Sequence, residues 1–493
     1  MITEEIVSQI RETFAMEPTG DQARAMQVFA EFLVDRDAQA AMILRGSAGT
    51  GKTTLASAMV RLLLRLGRKV VLMAPTGRAA KVFSLNSGQA AMTIHKRIYR
   101  QKSITGFDTP FALADNLSKD TVFMVDEASM IANEGFGESV FGTGRILDDL
   151  VKYVYNDQNC RLLVIGDRAQ LPPVGETESP ALSKGVLECY GLQVHECDLD
   201  EVLRQSRQSG ILYNATIIRQ FITGDPLTHL PRIRFHGFAD IQPVSGNELI
   251  DILSESYRQA GIDETIVITR SNKRANIYNQ GIRNKVLDME DELCRGDMLM
   301  VVKNNYFWTE QEGVKARAAA ASSAGAEAEA AIPSFIANGD RAMVLRMTHE
   351  RELYGFRFAD VLLRFPDYDD FEMKSTVCLD ALHSEAPALT REQGETLFNR
   401  VLEDYEYLQK SERIKKLKQD GHYNAFQVKY AYAVTCHKAQ GGQWANVFID
   451  QGYMTEEMLD NDYVHWLYTA FTRATEKLYL VNWQEQQMEK VEG

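Results

Sequence analysis

The sequence predicts an α/β protein with two doubly wound parallel sheets, the second interrupted by a β-rich insertion. Three observations carry this. Short, continuous apolar runs alternate with helix-spaced stretches over the first 175 residues, the signature of strands covered on both faces by helices. The same alternation returns later in the chain, and between its two later portions lie short strands separated by turn residues. At 493 residues the chain has room for two to four domains of roughly 100–200 residues each. Its 45% hydrophobic and 25% charged content is that of an ordinary globular protein and excludes disordered and fibrous classes.

In chain order, Ala40–Leu44, Lys69–Ala74, Val122–Val125 and Arg161–Ile165 are predicted as buried strands of the first sheet. Lys52–Leu66, between the first two, has helical spacing. The second pattern begins near Gln193 and includes Thr265–Thr269, Ala431–Thr435, Val447–Ile449 and Leu478–Val481. The insertion, about 282–428, holds the predicted strands Met298–Val302, Arg341–Met347, Phe356–Arg364 and Glu372–Leu379, a small barrel or β-rich module. A charged helix over Arg391–Lys418 follows, with Lys410, Arg413, Lys415, Lys416 and Lys418 giving either a solvated face or a basic patch. Residues 314–331 are alanine-rich and of low complexity; they read as an exposed loop or weak helix with no assigned function.

Charge and cysteine usage narrow the classes. Asp and Glu number 68 against 54 Lys and Arg, a net charge of −14, which argues against a protein that coats nucleic acid nonspecifically but permits a locally positive groove. Six scattered cysteines without a C-x-x-C pair fit neither a disulfide framework nor a zinc site. The longest apolar runs, such as Met59–Leu66, are cut by Arg61 and Arg65, well short of the ~20 residues needed to span a bilayer, so no membrane association is predicted. The acidic start, Met1-Ile2-Thr3-Glu4-Glu5, lacks a signal-peptide pattern, and a cytoplasmic location is expected.

Chemistry enters with Gly46-Ser47-Ala48-Gly49-Thr50-Gly51-Lys52-Thr53, followed by Thr54. It fits G-x-x-x-x-G-K-[ST], follows an apolar strand and opens a helix, the context that gives the motif meaning. Its glycines let backbone N–H groups wrap phosphate, the helix N-terminus adds its dipole, Lys52 neutralises phosphate oxygens and the Thr53 hydroxyl reaches Mg²⁺. Asp126 and Glu127 end another apolar strand. Asp126 suits holding Mg²⁺ directly or through water, and Glu127 suits polarising an attacking water. ATP hydrolysis with Mg²⁺ is the predicted chemistry.

Further strings decide what the ATP is for. They are Ala74-Pro75-Thr76-Gly77-Arg78-Ala79-Ala80, Thr93-Ile94-His95, Gly166-Asp167-Arg168-Ala169-Gln170-Leu171-Pro172-Pro173, Asp200-Glu201-Val202-Leu203-Arg204-Gln205, Thr435-Cys436-His437-Lys438-Ala439-Gln440-Gly441 and Tyr468-Thr469-Ala470-Phe471-Thr472-Arg473-Ala474. Their order and wording resemble the class B branch of the superfamily 1 DNA helicases, the RecD-like and phage Dda-like enzymes, across about residues 15–490. The resemblance implies two RecA-like lobes, 1–192 and 193–281 with 429–493. It also implies a pin-type β-hairpin at about 97–120 and an SH3-like insert over 282–428. It implies that Gln22, in Thr19-Gly20-Asp21-Gln22, reads adenine, against the alternative that Thr19 or Asp21 merely caps a helix. It casts Gln170 as a sensor of the γ-phosphate or of water, and Arg204 and Arg473 as arginine fingers offered across the cleft.

The same resemblance implies DNA contacts from Pro75, Thr76, Arg78, Thr93 and His95 on the first lobe and from Thr435, His437 and Lys438 on the second. His437 equally suits a link between the two sites or a structural histidine. Phe107 and Phe111 are the options for an aromatic at the pin tip, with a buried anchor as an equal alternative. The expected activity is 5′-to-3′ translocation on single-stranded DNA with duplex separation at single-strand/double-strand junctions, by a working monomer among replication or repair proteins. A translocase that does not unwind, a P-loop switch without nucleic acid, and an RNA track stay open from the residues alone.

Overall fold

The computed structural model describes residues 2–101, 111–135, 142–156, 158–201, 208–224, 229–322, 333 and 335–490. The first lobe is built on β1 (Ala40–Gly46), β2 (Lys69–Ala74) and β3 (Ala91–Thr93). A two-stranded antiparallel ribbon follows, β4 (Tyr99–Gln101) with β5 (Phe111–Leu113), and then β6 (Thr121–Val125), β7 (Arg161–Gly166) and β8 (Gln193–Leu199). The main sheet is six-stranded in the order β3-β2-β6-β7-β1-β8, with every pairing parallel. Parallel strands are buried on both faces, and β1 shows how: Ala40, Met42 and Leu44 join the core on one side, Ala41 and Ile43 the core on the other.

The second lobe comprises β9 (Ile241–Val244) and β10 (Thr265–Thr269), with three later strands that close its sheet. Between them lies a closed barrel of β11 (Met298–Val301), β12 (Arg341–Leu353), β13 (Phe356–Phe365), β14 (Phe371–Cys378) and β15 (Phe426–Tyr430). The chain then returns through β16 (Ala433–Thr435), β17 (Trp444–Asp450) and β18 (Ala474–Val481), giving an all-parallel sheet β16-β10-β17-β18-β9. The expectation of two RecA-like parallel sheets, a hairpin in the first and a β-rich insert in the second is met.

Three details differ from the sequence expectation. Residues 193–199, assigned to the second lobe, form β8 and pair with β1 along its whole length, so the first sheet runs on to Leu199. The strand expected at 431–435 is the shorter β16, Ala433–Thr435, which begins the return, and the strand before it, β15, which completes the barrel, was not expected. The charged helix expected over 391–418 is split into Arg391–Glu403, opened by a capping box from Thr390 and Gln393, and Lys410–Lys418. Lys415 and Lys416 are exposed, the solvated face. Of the alanine-rich stretch, 314–322 continues the helix Phe307–Ser322 and the remainder lies outside the described residues. Cys160, Cys197, Cys378 and Cys436 are buried free thiols, whereas Cys189 is exposed. Among the described residues no helix is long and apolar enough to cross a membrane.

The barrel is seated on the first lobe at the helix Gly77–Ser87. A Cβ built on Gly77 would lie 2.4 Å from Asp340 Oδ1 and 2.9 Å from the Tyr368 hydroxyl. Asp340 cannot swing away, because its other oxygen accepts from Ala337 N–H and the Tyr368 hydroxyl. Gly77→Ala is therefore expected to destabilise the chain by about 1–3 kcal/mol, the usual cost of overpacking. The alanine recovers at most ~1 kcal/mol of helix propensity. A lowered denaturation midpoint checks it.

Candidate nucleotide site and interlobe seam

In an open parallel sheet, ligands gather at the carboxyl ends of the strands. Here β1, β6 and β7 deliver their loops to one place. β7 lies between β1 and β6, so its loop, 167–171, sits between the phosphate loop after β1 and Asp126-Glu127 after β6. The second lobe closes over these ends. The result is a cleft of about 330 Å³ lined by Lys52, Thr53, Asp126, Glu127, Gln170 and Arg473, among others. This volume is in the range of small-ligand sites.

The loop 46–53 leaves β1 and turns back on itself through Gly49 and Gly51, both at positive φ, 78° and 80°. Only glycine adopts that backbone without strain. The helix Lys52–Arg65 then begins on Gly51 with no side-chain cap, which leaves its first N–H groups open to an anion. Ser47, Ala48, Gly49, Gly51, Thr53 and Thr54 all line the cleft. Thr50 does not; it is buried and its hydroxyl donates to Ser47 O at 2.8 Å, stiffening the loop. Lys52 Nζ donates to Ser47 O at 3.0 Å and has no carboxylate within ion-pair distance among the described residues.

Glu127 is held at φ 52°, a left-handed conformation that costs a non-glycine residue of order 1–3 kcal/mol and recurs at functional sites. Its N–H donates to Asp126 Oδ1 at 2.8 Å. Burial, and then the neighbouring Glu127 charge, lift the Asp126 carboxyl to about 7, against the opposing pull of that N–H and of Lys52. Thr53 and Asp126 offer hard oxygen ligands in the same cleft, the donor set Mg²⁺ takes when phosphate oxygens and waters complete its shell. A carboxyl must ionise to hold the ion. Below about pH 7 binding must first expel a proton, so the apparent Mg²⁺ affinity of the ADP-bound chain is expected to weaken about tenfold per unit as pH falls. Titration of Mg²⁺ at a series of pH values checks it; an affinity flat across neutrality contradicts the assignment of Asp126.

Gln170 is buried and bridges the two lobes. Oriented by its partners, its amide nitrogen donates to Glu127 Oε2 at 3.2 Å and its oxygen accepts from Arg473 Nη2 at 3.2 Å. Arg473 is itself buried at the end of the helix Asn461–Phe471. Its other bonds go to Thr469 O (3.1 Å), Gly442 O (3.1 Å) and the Thr472 hydroxyl (3.2 Å). Every one of these partners is a neutral oxygen.

Not every sequence-predicted residue is placed as expected. Gln22 is 1% exposed and both ends of its amide are committed. The oxygen accepts from Thr19 N–H at 3.0 Å within a capping box, and the nitrogen donates to Thr50 O at 2.9 Å. In this conformation Gln22 buttresses the phosphate loop and offers no edge to adenine. Arg204 and Phe107 lie outside the described residues. Phe111, paired with Gln101 at the end of the β4–β5 ribbon next to residues 102–110, is buried, its ring centroid 4.7 Å from that of Tyr306, which stacks at 4.7 Å on Phe335. It anchors the ribbon against the insert.

The DNA candidates converge on one seam but are not free. Thr93 pairs in register with Ala74, so the segments 75–78 and 93–95 leave the sheet side by side. Thr76 and Thr93 cap helices, accepting from Ala79 and Lys96 N–H, and Pro75 beside them is half-buried. Burial lowers the His95 pKa to about 4, which leaves it neutral at pH 7. Arg78 donates to Gln443 O, lies 4.4 Å over the Trp444 ring, and sits 3.7 Å from both Glu264 and Asp367. It ties the first lobe to the second lobe and to the barrel. The segment holding Thr435, exposed His437 and half-buried Lys438 runs into Gly441, where an added Cβ would lie 3.0 Å from Thr76 Oγ1. Burial, and then Lys429, lower the Lys438 pKa to about 8.

Sequence reasoning missed two seam residues. Tyr468 donates to Asp167 Oδ2 at 2.6 Å and accepts from Ala48 N–H at 3.0 Å. Arg219 Nη1 donates to Ser47 Oγ at 3.0 Å. Arg219 was discoverable, being the one charged residue in the helix Gly210–Thr223.

A phosphate loop, an acidic pair on the next strand but one and an arginine from a second parallel-sheet lobe define a two-lobed P-loop fold with a nucleotide-site geometry at its seam. A family model described as an AAA domain matches residues 19–237, and one described as a UvrD-like helicase C-terminal domain matches 430–481. The chain is 26% identical to the ATP-dependent DNA helicase dda of Enterobacteria phage T4, over 52% of this chain and 55% of that protein. It is 32% identical to the ATP-dependent RecD2 DNA helicase of Deinococcus radiodurans, over 27% of this chain and 16% of the relative. It thus spans about half the length of the first and less of the second. A crystal structure of Pif1 helicase from Bacteroides with ADP-AlF3 and ssDNA aligns over 97% of this chain and 95% of its own, at 16% identity and a TM-score of 0.47. In these stretches the chain is similar to the superfamily 1 helicases of the RecD and Dda type.

Proposed function

We propose that the chain hydrolyses ATP at the seam between its lobes and uses the resulting opening and closing to move 5′ to 3′ along single-stranded DNA, separating duplex at junctions. The single observation that carries this is the Gln170 bridge, which joins the Glu127 carboxylate of one lobe to the Arg473 guanidinium of the other. A triphosphate seated on the open N–H groups of 51–54 would have Lys52 beside it and Arg473 facing it. Glu127 accepts a proton from the attacking water, and Gln170 holds Glu127 and Arg473 in register. Thr53 and Asp126 would hold Mg²⁺, which when bound would supply neutralisation of phosphate charge. Phosphate departure removes the anion on which Arg473 closes, so the seam loosens. The direction of movement rests on the likeness to the RecD and Dda enzymes, as do a working monomer and a place among replication or repair proteins.

The test is a pair of labelled duplexes, one with a 5′ and one with a 3′ overhang, alongside ATPase measured with and without single-stranded DNA. Displacement of the strand from the 5′-overhang duplex alone supports the proposal. Stimulated ATPase without displacement leaves a non-unwinding translocase, and an ATPase indifferent to DNA rejects both.

A further inference from the structure

We propose that Tyr468 and Arg219 are positioning residues that clasp the apex of the phosphate loop to the second lobe, and thereby set Arg473 in register for hydrolysis. The apex, Ser47-Ala48, is gripped at two points. The Tyr468 hydroxyl accepts from Ala48 N–H and donates to Asp167 in the adjoining loop. Arg219 spans Ser47 Oγ and the Asp200 carboxylate. Both side chains come from the second lobe, whose helices Gly210–Thr223 and Asn461–Phe471 pack on each other. Their partners all belong to the first.

The connection to catalysis is one turn of helix. Tyr468 and Thr469 are adjacent, and Arg473 follows where the helix ends. Thr469 Oγ1 accepts from Leu171 N–H at 2.7 Å, and Thr469 O accepts from Arg473 Nε at 3.1 Å. Asp167, Gln170 and Leu171 lie in a single loop after β7. One helical turn therefore reads the loop apex through Tyr468 and presents the guanidinium to Gln170 through Arg473.

Tyr468 is 1% exposed, and a buried phenol oxygen is costly unless its bonds are made. Burial, and then the Asp167 carboxylate, push its pKa well above the ordinary value. It stays protonated, must donate to Asp167, and keeps its lone pairs for Ala48 N–H. Phenylalanine fits the same space but makes neither bond.

The test separates turnover from binding in the full-length chain. Tyr468→Phe is expected to lower kcat of DNA-stimulated ATP hydrolysis about 10- to 100-fold, since displacement of a catalytic group by about 1 Å can cost ~10². Affinity for a fluorescent ADP analogue is expected to stay within about threefold, because the rest of the phosphate loop still carries phosphate binding. Arg219→Gln, on a residue at the half-exposed edge of the seam, should give the same split even if the tyrosine variant folds poorly. Arg219→Lys, which keeps the charge beside Asp200, should recover part of the rate. A kcat within twofold of the parent in both Tyr468→Phe and Arg219→Gln, or a loss carried by weakened ADP binding, overturns the clasp. The proposal rests on the chain being an ATPase; a parent chain with no hydrolysis would sink that reading instead.

Discussion

Arg473→Ala is expected to slow ATP turnover about 10³- to 10⁵-fold, the range an arginine finger supplies. That is about 4–7 kcal/mol of transition-state stabilisation at ~1.4 kcal/mol per decade. An exposed ion pair, worth at most ~1 kcal/mol, could not account for it. The reason to expect so large an effect is the company Arg473 keeps. It is a buried cation whose partners are carbonyl, hydroxyl and amide oxygens, with no carboxylate among the described residues to balance it. Burying an unbalanced charge is expensive. The missing anion is supplied when phosphate enters the cleft that Arg473 lines. Arg473→Lys keeps the charge but loses the planar fork, so it should restore only a small part of the rate. Single-turnover hydrolysis measured beside nucleotide affinity decides it. A variant that binds nucleotide poorly yet turns over normally once saturated would remove Arg473 from the finger role.

Lys52→Ala is expected to reduce hydrolysis at least 10²- to 10³-fold, the cost of deleting one preorganised charge-stabilising donor. Among the described residues Lys52 is held by Ser47 O alone, close to the acidic pair, and is ready to turn toward phosphate. Affinity for single-stranded DNA should stay within about threefold, because the candidate DNA seam at Thr76, Arg78 and Gly441 is formed by other side chains. Anisotropy of a labelled oligonucleotide and steady-state ATPase measure the two quantities on one preparation. Undiminished turnover would mean that the loop does not hold the reacting phosphate.

The parts of this architecture that were legible in the sequence are those whose burial forces a simple pattern. β1, β2, β6, β7 and β10 are central strands, and each reads as an unbroken apolar run. The loops after β1, β6 and β7 carry the chemistry because residue types there answer to phosphate rather than to packing. β8 misled because it is an edge strand. Its mixed pattern, with exposed Gln193 and half-buried His195 and Glu196, resembles the start of a new unit. Gln22 misled because two uses of one side chain share the same spelling. T-G-D-Q suits a base-reading motif and equally a capping box, and the local hydrogen bonds took the amide. For Phe111 the sequence left a pin tip and a buried anchor equally open, and packing favours the anchor; Arg78 was assigned a DNA contact from family order alone, and only three-dimensional packing shows it as a tie. Tyr468 stood in a motif already quoted, yet nothing in the string says that its hydroxyl reaches a residue 420 positions away.

Under the proposed function, the crowding around Arg78 governs how a polynucleotide enters. A carboxylate such as Asp367 and a phosphodiester offer a guanidinium much the same geometry, two oxygens at a fork's spacing. A strand arriving there would displace one anion by another and leave no naked cation behind. Admission would then be an exchange of like for like, sensitive to ionic strength and indifferent to base sequence, as suits a machine that must accept whatever lies next along its track.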